Sequence, residues 1–131
     1  MKHYLLIFLL LGTTLLARPP FVSQGYIPHY TKKIATNWEN DFLELTPEQK
    51  PKLIKIRQET MQSLGALKAK LAPLEQKLAD DIVAGKEPSS LKPQVDAIAQ
   101  LKVEATMVHL KCVSNTQKVL TKDQLDLLPS L

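Results

Sequence analysis

Cysteine occurs once in this chain, at Cys112, so no internal disulfide can staple the fold. Glycine is scarce, with 4 in 131 residues, and there is no glycine-rich phosphate loop, no GxSxG and no HExxH. Phosphoryl transfer, serine hydrolysis and zinc proteolysis therefore lack the residues they need. Asp80 and Asp81 are adjacent, which sends them to different faces of a helix and spoils them as an acid–base pair. No catalytic residue is assigned, and the chain is read as a non-enzyme. Aromatic residues are missing from all 89 positions of residues 43–131. Aromatic side chains carry much of the buried area of ordinary cores. A chain without them builds thin helix–helix seams from Leu, Ile, Val and Ala.

What is present begins with export. Lys2 and His3 precede a nearly unbroken apolar run over residues 5–17, and polar, proline-containing sequence follows from Arg18. These are the parts of a secretory signal peptide. The run falls short of the roughly 20 residues that span a bilayer. No cysteine follows it to carry a lipid. The expectation is a cleavable signal over residues 1–17, an exported protein with no stable membrane anchor, and a mature chain of 114 residues forming one domain.

Residues 18–31 read as a flexible arm, because Pro19, Pro20, Gly25 and Pro28 interrupt any period. The helical domain is expected over residues 32–131. Residues 32–43 suit a short helix with Ile34, Trp38 and Phe42 on one face. Leu53, Ile56, Thr60, Leu64, Leu67, Leu71, Leu74, Leu78 and Ile82 then step by three or four, and residues 64–78 alternate as in a coiled coil. Pro73 predicts a kink or break near Ala72. Gly85 ends this helix, and Ser89 or Ser90 is expected to cap the next. The second stripe runs Leu91, Val95, Ile98, Leu101, Ala105, Val108, Cys112, Thr116 and Val119. The result is an all-α, elongated, kinked helical hairpin with short flanking helices. Arms of roughly 57 Å and 44 Å at 1.5 Å per residue leave apolar stripes thinly covered, which favours a homodimer.

Two pentads mark the ends of this hairpin, LTPEQ at residues 45–49 and LTKDQ at residues 120–124. Thr followed three residues later by Gln is a capping box, so Thr46 with Gln49 and Thr121 with Gln124 each start a helix. Leu45 and Leu120 precede the caps, and Leu120 with Leu125 makes a hydrophobic staple. The paired pentads resemble the Spy/CpxP family of bacterial envelope proteins. So do PLEQKLADDIVAG at residues 73–85 and ATMVHLKCVSNTQKVLTKDQ at residues 105–124. The resemblance covers about residues 43–128. It implies a periplasmic, all-helical protein that dimerises as an antiparallel cradle. Family members include an ATP-independent chaperone and an inhibitor of an envelope-stress sensor kinase, with metal-binding and metal-sensing proteins as distant relatives.

Charge is mild overall but uneven. The formal balance is +4, yet Lys50, Lys52, Lys55, Arg57, Lys68 and Lys70 face only Glu59 within residues 50–70. Such a segment attracts acidic stretches of a partner. Without interleaved aromatics in an exported chain, nucleic acid is not the expected partner. Ile54, Met61 and Leu67, beside Lys55, Arg57 and Lys68, are the candidate contacts for unfolded client proteins. The expected function is periplasmic, ATP-independent chaperoning, with regulation of a sensor kinase domain as an alternative.

A second alternative is a metal site. His109 and Cys112 are three apart and share a helix face, with Met107 near in sequence and His29 in the arm. Zn, Cu or Ni are the matching ions. Two ligands fall short of the three or four that zinc takes, and the clustered ligands of the metal-sensing relatives have no counterpart in the first long helix. Cys112 also sits on the apolar stripe, where a free cysteine packs as a small hydrophobe. No metal ligand or cofactor is therefore assigned.

Overall fold

A stripe of leucines needs a partner face, and the chain supplies one by folding back on itself. The computed structural model describes residues 19–22 and 25–131. The signal peptide expected over residues 1–17 lies outside the described residues. Among those residues every regular element is helical. In order they are α1 (Tyr30–Thr36), a 3-10 turn (Asp41–Leu43), α2 (Gln49–Val83), α3 (Pro88–Val119), α4 (Lys122–Leu127) and a last 3-10 turn (Leu128–Ser130). α2 and α3 pack along each other as the two arms of a hairpin. No described helix is long and apolar enough to cross a membrane.

The interior consists of two thin clusters. At the open end of the hairpin Ile34, Leu43, Leu53, Leu120 and Leu128 are buried, flanked by Tyr30, Trp38, Leu45, Val119 and Leu125. Here α1, both 3-10 turns and α4 close over the hairpin ends. Farther along, Leu64 and Leu67 close on a fully buried Ala105, with Phe21, Leu101 and Val108 beside them. Alanine at that point lets the two helices approach. Burying each such leucine contributes roughly 1.5–3 kcal/mol. Leu71, Leu91 and Ile98 extend the seam toward the tip. The cover thins there: Ile82 and Val95, both on the apolar stripes, are exposed, Val95 between the buried Leu91 and Ile98.

The tip is held by polar groups instead. Gly85, at φ 77°, takes the left-handed conformation that ends α2. Its amide donates to the Ile82 carbonyl at 3.0 Å, and the Lys86 amide donates to Asp81 at 3.2 Å, the bond pair of a Schellman motif. The Asp81 carboxylate accepts from Lys77 at 2.6 Å, Lys86 at 2.8 Å and Gln94 at 2.6 Å. Lys77, then Lys86 and Gln94, hold its carboxyl well below the usual carboxylate range. One buried carboxylate thus joins the end of α2, the turn and α3.

The open end is held by the two pentads. Each makes its box: the Thr46 amide donates to Gln49 Oε1 at 3.0 Å, and the Gln49 amide to Thr46 Oγ1 at 3.2 Å. The same bonds recur at Thr121 and Gln124 with 3.0 and 3.2 Å. The first helical bond of α2 runs from the Lys50 amide to the Thr46 carbonyl at 3.2 Å, so Thr46 is its working cap. The two glutamines then bond to each other, at 2.8 and 3.1 Å. Gln49 Nε2 also donates to the Val119 carbonyl, and Gln124 Nε2 to the Leu43 carbonyl, both at 3.0 Å. The repeat is therefore a pair of matching halves of one joint.

Four local expectations need correction. The helix expected over residues 32–43 stops at Thr36, because the Asn37 side chain takes the Lys33 carbonyl at 2.9 Å and the chain turns. Trp38 packs on the core, but Phe42 is left 43% exposed in the 3-10 turn. The break expected near Ala72 is absent, since α2 runs through Pro73. Pro73 and Ala69, whose carbonyl loses its donor, are both exposed, so water can satisfy that carbonyl. Neither serine caps α3: Glu87 holds the N-cap position, Pro88 is at N1, and the Ser90 hydroxyl donates back to the Glu87 carbonyl at 2.7 Å.

Candidate functional site

Arg57, Met61, Leu64 and Lys68 fall at i, i+4, i+7 and i+11, one line along α2. A segment of the arm lies against that line and converts it into a groove. Phe21 anchors this segment by packing on the Leu64, Leu67 and Ala105 cluster. The Val22 amide donates to Thr106 Oγ1 of α3 at 3.0 Å. His109 of α3 meets the Pro28 carbonyl through Nε2 at 3.2 Å. The arm is irregular, as its prolines require; it touches the hairpin at Phe21, Val22, Pro28 and His29, while Tyr26 between them is 90% exposed.

The His109 ring lies inside a small stack. His29 is stacked on it with centroids 4.2 Å apart and 26° between planes, and Phe21 lies 4.8 Å away. A carbonyl only accepts, so the His109 proton sits on Nε2 and Nδ1 is left as a lone pair. That Nδ1 is buried without a hydrogen-bond partner among the described residues. Burial lowers the pKa of both histidines. His109 and Lys32 lower that of His29 further, while the bond to Pro28 pulls His109 partly back. Both rings are neutral at pH 7.

The groove has a volume of about 450 Å³. Phe21, Met61 and Leu64 give it apolar walls, and Lys32, Arg57 and Lys68 line it with no carboxylate among the lining residues. Gly65 lies on its α2 wall, and a Cβ placed there would meet nothing within 4 Å. The groove can take an elongated apolar body with negative charge. Its walls are mainly helix, so it has few free main-chain groups to offer.

The residues singled out from the sequence separate here. Arg57, Met61 and Lys68 come together in the groove. Ile54 is 44% exposed on the same helix, and Lys55 is exposed and pairs with Glu59 at 3.8 Å. Leu67 is corrected: it is 8% exposed, closed in the seam with Ala105, and cannot meet a client. Leu45, Thr46, Gln49, Leu120, Thr121 and Gln124 converge on the joint at the open end.

His109 and Cys112 both line the groove and both are buried, whereas Met107 is 58% exposed and takes no part. Among the described residues no three His, Cys, Asp or Glu side chains are grouped to hold a metal ion. The His29 and His109 rings meet face on, so their lone pairs do not converge, and the Cys112 thiol lies 3.6 Å from the Thr31 hydroxyl. These residues do not fit a zinc, copper or nickel centre. Sequence reasoning missed the arm anchor Phe21, the Asp81 clamp and the significance of Gly65. A glycine inside a strong helical pattern was the one signal available for the groove.

No family model, curated protein or solved structure matches the chain. The resemblance to Spy/CpxP proteins rests on the pentads and the segments around them.

Proposed function

We propose that this protein is a periplasmic, ATP-independent chaperone that holds unfolded proteins along the exposed side of α2. The observation that carries the reading is large apolar side chains left exposed among lysines and arginine on long, otherwise polar helices. For clients these are Ile54 and Met61 on α2, beside Lys55, Arg57 and Lys68; Val103, Met107 and Leu110, at i, i+4 and i+7 on α3, are left for a dimer seam. Basic groups draw acidic client segments from a distance, and apolar patches retain them weakly enough for release. The reading includes a cradle-shaped homodimer that uses the α3 stripe as its seam and leaves α2 to clients.

The test is suppression of aggregation of several unrelated denatured proteins without ATP, at or below one dimer per client. Suppression should weaken with salt, as the screening length falls from about 10 Å at 0.1 M to about 3 Å at 1 M. Replacing Lys55, Arg57 and Lys68 by Glu should impair acidic clients more than basic ones. Failure to protect any client at low salt, with tight binding to one sensor kinase domain, would replace this reading with the regulatory one.

A further inference from the structure

The groove between arm and hairpin has features that a general client surface does not require. It is bounded by the arm and three helices, α1, α2 and α3, and its volume lies in the range of small-ligand sites, roughly 300–1,000 Å³. Its cations have a definite order. Arg57 also lines a hollow with Thr31 and Ala35, which puts Arg57 at the α1 end, with Lys32 of α1 lining the same groove. Lys68 follows eleven residues later, about 16 Å along the helix axis. Met61 and Leu64 lie between. None of the three cations forms an ion pair among the described residues.

Gly65 is the second, independent observation. Glycine in a helix interior costs about 1 kcal/mol relative to alanine. The backbone at Gly65 does not require glycine, because its φ is not positive, and no atom of the described residues lies within 4 Å of a Cβ placed there. What the missing side chain leaves is open groove. The cost to the helix is offset by no packing among the described residues, and the space it creates lies beside Met61, Leu64 and Lys68.

From these we infer that the groove is a binding site for a single-chain anionic amphiphile. Arg57 and Lys32 hold the acidic head group, and the chain lies along Phe21, Met61, Leu64 and the space at Gly65. A carboxylate suits the planar guanidinium of Arg57, which can donate two parallel bonds. The walls favour this occupant over an extended peptide. α2 and α3 satisfy their own amides and carbonyls, so they have no ladder to pair with a main chain. The inference shares Arg57, Met61 and Lys68 with the chaperone reading but names a different occupant, so amphiphile binding and client protection are measured separately.

The probe is sodium dodecanoate below its critical micelle concentration, titrated calorimetrically into the mature chain. Saturable binding near one per chain is expected, with dodecyltrimethylammonium binding much more weakly. Arg57→Glu should weaken dodecanoate by about tenfold or more. Gly65→Leu retains the charges, extends a strong helix former into open space and should block the groove. Circular dichroism checks that each variant keeps its helicity. Equal binding of the cationic amphiphile, undiminished binding in a folded Gly65→Leu chain, or no saturable binding would each overturn the inference. Aggregation assays do not enter this result, so it stands or falls apart from the chaperone reading.

Discussion

Gln49 and Gln124, 75 residues apart, donate to each other through their side-chain amides at 2.8 and 3.1 Å. Each also closes the capping box of its own helix and reaches a carbonyl of the opposite chain segment. The amide group suits this, because it carries two donors and an acceptor that serve three partners at once. Glutamate could close a box but could not donate across.

Removal of either glutamine should therefore loosen both helix starts. Gln124→Ala is expected to cost about 1–3 kcal/mol, since it leaves the buried Leu43 carbonyl and the Gln49 amide short of a partner. Gln49→Ala should cost less, because Gln49 is only half-buried. A double-mutant cycle read by urea unfolding should give a clear coupling energy. Additive losses would mean that the two boxes act independently.

Gly65→Ala should raise stability by about 0.5–1 kcal/mol, through helix propensity and a less flexible unfolded chain. The added methyl group meets open space. Thermal or urea unfolding of the mature chain measures it. A loss of stability would show that the backbone at residue 65 needs glycine.

The histidine stack makes the arm sensitive to acid. Folded His29 and His109 have pKa values below 6.5, so the unfolded chain takes up protons first as pH falls. Their contribution is complete above about pH 6.5 and declines as pH falls toward the lowered folded values. Two imidazolium rings at this separation repel, and a proton on His109 Nδ1 would find no acceptor among the described residues. Proteolysis within the arm should accelerate between pH 7 and pH 5. His29→Phe, which retains a ring over His109 without a proton, should reduce that acceleration.

Asp81 governs a different pH range. Its folded pKa is depressed, so its contribution is present above the ordinary carboxylate value of 3.8 and is lost as pH falls below it. Asp81→Asn should lower the melting temperature at neutral pH and bring it closer to the wild-type value in acid. Amide exchange at Gly85 and Lys86 should rise in the variant. Unchanged exchange there would assign the closure of the tip to Gly85 alone.

Met107→Glu tests the assembly proposed for the chaperone. Met107 is exposed in the single chain, so glutamate there should leave the fold intact. Light scattering at micromolar concentration should show a dimer for the mature chain and a monomer for the variant. A monomer in both would remove the cradle from the proposal.

The hairpin was legible because its physics is local and periodic. Leu53, Leu64, Leu67 and Leu71 repeat at the helical period, and their burial follows from it. Thr46 and Thr121 were readable as caps because a capping box closes within four residues. Gly85 was readable as the stop for the same reason. Even the thinness of the core followed from the missing aromatics. Local signals misled where competing local bonds won, as when Asn37 ended α1 early and Pro73 met an exposed helix face.

The site was less legible because it is made by residues far apart in the chain. Nothing in a pentad states that its glutamine will meet the other. That requires the return of α3 to the start of α2, which brings Val119 and Leu43 within reach as well. Leu67 and Met61 both belong to an apolar, helix-forming segment, yet one faces Ala105 and the other the groove. Their difference depends on how α2 is rotated against α3, and packing of the whole seam sets that rotation. Phe21 had no periodic context at all, and its place over Leu64 and His109 exists only because the arm folds back across the finished hairpin. A helical period fixes which residues share a face; contact between distant segments fixes what each face meets.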